Sequence, residues 1–171
     1  MLLNSQNISK FLIESEFSKK NQVGIDLSVK SIEIILDNSV SVLKNKTIVN
    51  SEKFSDIEPI QYFIGSESSI KFGWLLSPGT YALTFNEKCN LDASHTGFIL
   101  SRSSIYRGGS FICSPIWDPG FTTKDNYMGT TLFVTKTIFI EKNARVAQFF
   151  IHTNETPDSL YDGQFQGKTN Y

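Results

Sequence analysis

Turn-forming residues cut this chain of 171 residues into short apolar runs, and that punctuation limits what it can fold into. Ser77-Pro78-Gly79, Pro119-Gly120 and Glu141-Lys142-Asn143 are turn signals. The runs between such signals are rich in Val, Ile, Thr and Phe, the residues that suit a pleated surface. Strands are expected over 24–29, 32–36, 39–43, 80–85, 96–101, 110–116, 132–140 and 145–151. Many short strands separated by turns predict an antiparallel sandwich or barrel. At the N-terminus, Asn4 or Ser5 caps a helix whose apolar positions are Ile8, Phe11 and Leu12. That helix is expected to run to about residues 18–20. The stretch 45–69 is polar and weakly periodic, and reads as an irregular excursion. The tail, 157–171, is Gly-punctuated and reads as flexible until something orders it.

Composition removes several classes of function. Hydrophobic residues make up 40% of the chain and Phe alone occurs 14 times, which excludes a disordered polymer. One domain with a sizeable core suits this length. Sixteen basic and 17 acidic residues give a net charge of −1. No basic tract offers a surface for wrapping nucleic acid. Cys89 and Cys113 form no CxxC pair, and His95 and His152 lie far apart in sequence, so no zinc box is legible. Both cysteines read as free thiols of a reducing compartment. No signal peptide and no apolar run of bilayer length is visible. A soluble, cytoplasmic protein without a membrane partner is the expectation.

Two clusters carry the chemistry. Ser101-Arg102-Ser103-Ser104-Ile105-Tyr106-Arg107 offers two guanidiniums among three serine hydroxyls. Planar guanidinium forks match phosphate oxygens, and hydroxyls donate to the same atoms. Ordinary surface arginines would look the same. Ile116-Trp117-Asp118-Pro119-Gly120-Phe121 offers a carboxylate at a sharp turn, then a ring. Asp118 either orients and deprotonates a water or only caps the turn. Phe121 either packs on a sugar or joins the core. Asp26 lies within the apolar run Gly24-Ile25-Asp26-Leu27 and needs a partner there, with Arg102 and Arg145 as candidates. Gln148, inside Arg145-Val146-Ala147-Gln148, either serves the backbone or reaches a ligand. In the tail, Phe165 either stacks on a base or is an exposed ring.

In chain order these segments resemble the dCTP deaminase/dUTPase superfamily. Met1 to Leu12 is similar to the N-terminal helix of its deaminase branch. Gly24-Ile25-Asp26-Leu27 resembles the first motif, Arg102-Ser103-Ser104-Ile105-Tyr106-Arg107 the second, Asp118-Pro119-Gly120-Phe121 the third and Arg145-Val146-Ala147-Gln148 the fourth. Tyr161 to Gly167 resembles the deaminase-branch tail. The resemblance implies an all-β, distorted jelly-roll-like fold, a homotrimer with sites between subunits, and a tail that closes on the nucleotide. By position it makes Asp118, Arg107 and Ser103 the catalytic set. Arg102, Ser104, Phe121, Gln148, Tyr161, Gln164, Phe165, Gln166 and Lys168 become substrate-binding. It implies Mg²⁺ held through substrate phosphates and water, with no metal ligands of the chain's own.

The chain departs from the deaminase pattern in two places. Aligning Gly129 with the family's Gly puts Val134 where deaminases carry a catalytic Glu, and no Glu occurs between Lys88 and Phe139. Thr122 to Met128 forms an insertion where the family builds its base-recognising hairpin, and Asp125 within it is a candidate replacement acid. The expectation is therefore a dUTP diphosphatase. A dCTP deaminase, possibly bifunctional, is the first alternative, and a nucleotide-binding regulator without catalysis the second.

Overall fold

A computed structural model describes residues 1–37, 39–64 and 69–168. Residues 65–68 of the polar stretch and 169–171 of the tail lie outside the described residues. The main sheet is antiparallel and runs His95–Ser101, Arg145–Thr153, Ile25–Ile35, Gly79–Phe85, Gly129–Val134, Ser110–Cys113. Its two edges approach each other where the Ile112 amide donates to Ser101 Oγ at 2.7 Å. The result is an all-β, nearly closed barrel. Strand alternation sets its core: Phe149 and Ile151 point in, while Gln148, Phe150 and His152 are less buried between them. Phe85, Leu27, Leu83, Met128 and Leu132 are among the other fully buried side chains. Each such side chain contributes roughly 1.5–3 kcal/mol by leaving water.

The N-terminal helix is a single turn, Ser5–Ile8, capped by Asn4 Oδ1 accepting from the Asn7 amide at 3.0 Å. The expected extension to residues 18–20 does not form. Glu87 explains this: it is fully buried and needs hydrogen-bond donors. Ser15 Oγ, Ser18 Oγ and Ser28 Oγ donate to its Oε1 at 2.6, 2.7 and 2.8 Å, and the Ser28 amide donates to Oε2 at 3.0 Å. The Ser18 amide donates to the Ser15 carbonyl at 3.2 Å, so the two serines meet the carboxylate from a turn rather than from a helix. Leu12–Ile13 pairs instead with Lys88–Cys89.

Three further expectations are corrected. The strands expected over 24–29 and 32–36 are one strand, Ile25–Ile35, with a bulge between Val29 and Ser31 where it pairs with Gly79–Phe85. The strand expected over 132–140 is two, because the chain turns at Thr135, whose hydroxyl donates to the Gly109 carbonyl. Ile138–Glu141 then joins a separate sheet with Ser69–Leu76 and Ile60–Ile64. The polar stretch is also ordered into strands. Val40–Leu43 and Lys46–Val49 form a hairpin, and Phe54–Asp56 pairs with Ile25–Ile35.

Candidate active site

Asp118 sits on a turn fastened from both sides. The Phe121 amide donates to the Asp118 carbonyl at 3.0 Å, and Gly120 has φ +82°. Proline second and a left-handed glycine third make this a type II turn. The Gly120 amide donates to the Asp92 carbonyl at 3.2 Å, and the Leu91 amide to the Phe121 carbonyl at 2.9 Å. Just before the turn, Trp117 is buried and exchanges two backbone hydrogen bonds with Gly97, at 2.9 and 3.0 Å. Its ring meets Phe121 edge-on at 4.9 Å and Phe149 at 6.3 Å. A β-carbon on Gly97 would stand 2.6 Å from the Phe149 ring, so this close approach requires glycine. Asp92 is itself held. Burial alone would raise its carboxyl, but His95 Nδ1 at 2.6 Å and the Ser94 amide at 2.8 Å keep it below its ordinary value.

The turn floors a cleft of about 340 Å³ lined by Trp117, Asp118, Phe121, Thr130, Tyr161 and Phe165, among others. Among its described lining residues Asp118 is the one carboxylate, and its side chain is exposed to the cleft mouth. Thr130 and Thr131 also line it. Val134 lies further along the same strand, buried, and does not line the cleft. Asp125 is exposed on the insertion and is likewise not part of the lining.

The tail folds back on the same chain. The Tyr161 amide donates to the Pro119 carbonyl at 3.0 Å, and its ring lies 5.5 Å from that of Phe121. Tyr161 and Phe165 supply aromatic wall to the cleft. Gln164 meets the Lys46–Val49 strand, donating to the Thr47 carbonyl at 3.2 Å and accepting from its amide at 3.4 Å. Gln166 reaches the backbone of Gly120 and Thr122. Lys168 is exposed.

The arginine cluster forms a second centre. Ser103–Arg107 is a one-turn helix with Arg102 at its N-cap. Ser103, Ser104 and Arg107 are exposed. Arg102 is drawn back: Nε lies 3.4 Å from Asp26 Oδ2, and Nη1 donates to the Arg145 carbonyl at 3.0 Å. Arg145 Nε is 3.9 Å from the same Asp26 oxygen, so both candidate partners of Asp26 are present. Asn21 Nδ2 donates to Asp26 Oδ1 at 2.7 Å. Gln148 is the cross-strand neighbour of Asp26 and of Leu100, and its amide donates to the Val23 carbonyl at 3.1 Å. It can approach because Gly24 has φ +80°, where a β-carbon would stand 2.9 Å from Gln148 Cγ. None of Arg102, Ser103, Ser104, Arg107, Gln148 or Lys168 lines the Asp118 cleft. One chain thus carries an acid-and-aromatic cleft and, apart from it, a guanidinium cluster.

Sequence reasoning missed Trp117 as the anchor of the turn, and Gly97 and Thr130 beside it. A glycine inside the apolar run 96–101 was the available signal for Gly97; Thr130 had none.

The chain matches the dCTP deaminase-like family over residues 3–154. It belongs to that family. It is 31% identical over 148 residues to an Aeropyrum pernix protein named "Probable deoxyuridine 5′-triphosphate nucleotidohydrolase", covering 85% of this chain and 83% of that one. It is 26% identical over 176 residues to the deoxyuridine 5′-triphosphate nucleotidohydrolase of Methanocaldococcus jannaschii, covering 98% of this chain and 100% of that one. Among solved structures, the 2′-deoxycytidine 5′-triphosphate deaminase of Agrobacterium tumefaciens superposes with a TM-score of 0.57 at 13% identity. That match covers 88% of this chain and 46% of the deaminase chain, and it concerns the fold.

Proposed function

We propose that this family member is a dUTP diphosphatase, converting dUTP and water to dUMP and pyrophosphate. The observation that carries the reading is the cleft at Asp118, with one carboxylate among its described lining residues. Deamination of a cytosine ring needs a positioned acid/base at the ring, whereas hydrolysis needs one group to orient and deprotonate water. Val134, at the deaminase Glu position, is buried and apolar. The names of the archaeal relatives point the same way.

In this mechanism a water oxygen, its proton drawn by Asp118, attacks a phosphorus. The P–O bond to the bridging oxygen breaks and pyrophosphate leaves with its electron pair. Arg102, Ser103, Ser104 and Arg107 receive the triphosphate charge, and Arg107 and Ser103 stabilise what develops in the transition state. Phe121 packs on the sugar. Mg²⁺ is the proposed cofactor. It would be held through the substrate's phosphates and water, with no metal ligand from the chain, which leaves Asp118 free for the water. There it would neutralise phosphate charge.

The two halves of the site meet in this reading across a homotrimer interface. Phe98, Leu100 and Phe111 are exposed on the strands around the barrel seam, next to the Arg102 helix. An outward apolar stripe of this kind suits a neighbouring copy.

The test is to incubate the protein with Mg²⁺ and either dUTP or dCTP and to resolve the products by chromatography. dUMP and pyrophosphate from dUTP, with dCTP untouched, is the expected result. Ammonia and a uracil nucleotide from dCTP would overturn the reading. Binding of dUTP without turnover would make the chain a nucleotide-binding regulator.

A further inference from the structure

The Gln166 side chain has both ends of its amide engaged by the site's own turn. Nε2 donates to the Gly120 carbonyl at 2.8 Å, and Oε1 accepts from the Thr122 amide at 3.1 Å. It spans Phe121 as a strand neighbour would. The next residue continues the pairing: the Gly167 amide donates to the Thr122 carbonyl at 2.9 Å, and Asn126 Nδ2 donates to the Gly167 carbonyl. Gly167 has φ +74°, and a β-carbon there would stand 2.6 Å from Lys124 Cδ. The tail therefore turns in the left-handed region, directly against the insertion.

The insertion is firm enough to receive it. Thr123 is fully buried, its amide donates to the Cys89 carbonyl at 3.0 Å, and its hydroxyl accepts from the Cys89 amide at 3.1 Å. The Lys30 and Lys88 ammoniums lie 4.0 and 4.8 Å from the Tyr127 ring centroid. At the other end of the tail, the Tyr161 amide holds the Pro119 carbonyl. Between these anchors lie Tyr161 and Phe165, which wall the cleft.

We propose that residues 122–128 are the receptor for the chain's own tail, with Gln166 and Asn126 as the latch. The latch holds Tyr161 and Phe165 over the Asp118 cleft before any ligand arrives. Gln166 is a positioning residue that acts through these two rings rather than a ligand of phosphate. A wall built in advance removes ordering cost from substrate binding. The effect on substrate rests on the dUTP reading; the latch itself does not.

Amide hydrogen exchange on the ligand-free, full-length protein tests the latch. The Tyr161 and Gly167 amides should be protected. Gln166→Ala should speed their exchange about tenfold, the scale of one or two lost hydrogen bonds, with the Arg145–Thr153 strand unchanged. Gln166→Glu keeps the acceptor for Thr122 and loses the donor to Gly120, so it should fall between. Asn126→Ala, at an exposed position, should speed exchange at Gly167 even if Gln166→Ala folds poorly. Tail amides that exchange at free-peptide rates in the wild type, or that ignore both alanine variants, overturn the proposal. With dUTP, Gln166→Ala should raise KM by more than it lowers kcat. A fall in kcat alone would instead make Gln166 a transition-state contact and overturn the positioning role. Protected tail amides in a wild type that leaves dUTP intact would sink the substrate reading and leave the latch standing.

Discussion

Arg102 Nε lies 3.4 Å from Asp26 Oδ2, and Asp26 is 2% exposed. The most deeply placed carboxylate of the first motif thus aims the first guanidinium of the second. Asp26 Oδ2 is buried without a formal hydrogen bond, so the two nearby guanidiniums carry its compensation. With Nη1 also donating to the Arg145 carbonyl, the guanidinium is held at two points, and its side chain stays about a third exposed. Asp26→Asn should therefore lower stability by about 2 kcal/mol, less than a fully buried pair because both arginines are about a third exposed. It should also weaken triphosphate binding, because Arg102 is released to other conformers. Urea unfolding and calorimetric titration with a non-hydrolysable dUTP analogue measure the two effects. Unchanged affinity would mean that Asp26 does not orient Arg102.

Asp118 is exposed, and its side chain takes part in none of the structure's described hydrogen bonds or ion pairs. Asp118→Asn should leave stability within about 0.5 kcal/mol, as for other surface changes. It should lower kcat for dUTP by about 10²–10⁴-fold, the range for a lost general base. Steady-state kinetics beside thermal melts test both halves. A melt that drops with activity would assign Asp118 to the turn rather than to the chemistry.

Gly97 sets the height of the Asp118 turn. Gly97→Ala would push a methyl group against Phe149 and against Trp117 Cβ, at 2.6 and 3.1 Å. Overpacking of this kind costs about 1–3 kcal/mol. Because Trp117 precedes Asp118, the variant should lose activity even at temperatures where it stays folded. Kinetics at 15 °C together with Trp fluorescence would show it. Full activity in a destabilised variant would separate the packing from the turn.

Residue type decides how much of this was legible in the sequence. The barrel strands announce themselves through apolar runs, and Asp118-Pro119-Gly120 names its own turn. The stretch 45–69 does not, because Lys46–Val49, Phe54–Asp56 and Ile60–Ile64 bury no side chain fully and so show no clear inward face. The helix end was hidden because Ser15 and Ser18 answer to Glu87, about seventy residues away. Arg102, Asp26 and Gln148 were readable because charged or amide groups inside apolar strands demand partners. The tail's anchorage was not. Gln166 bonds to backbone atoms of Gly120 and Thr122, and any residue there would present the same atoms.

If the two halves of the site come from neighbouring subunits, inactive variants should rescue each other. Asp118→Asn spoils only the acid half and Arg107→Ala only the guanidinium half. Co-refolded in equal amounts, random trimers place two intact halves together at about a quarter of their sites. Activity should return toward that fraction. Leu100→Arg, placed on the exposed stripe, should yield monomers by sedimentation and prevent rescue. Mixed samples that stay inactive while remaining trimeric would put both halves in one chain.

Cys89 gives the fold an alkaline limit. Burial pushes its thiol up to about 12, against which the hydrogen bond from Thr123 is the smaller influence. In the unfolded chain the thiol ionises from about pH 9, while in the folded chain it stays protonated to about 12. Across that window the unfolded state binds fewer protons, so stability falls as pH rises. The slope reaches up to about 1.4 kcal/mol per pH unit from this group alone. Tyr and Lys side chains titrate nearby, so the comparison is with Cys89→Ala, which should lose less stability between pH 9 and 11 by urea unfolding. Cys113 is exposed and should react with a thiol reagent in the native protein, whereas Cys89 should react only on unfolding. Parallel stability curves for the two proteins would show that Cys89 is not the titrating group.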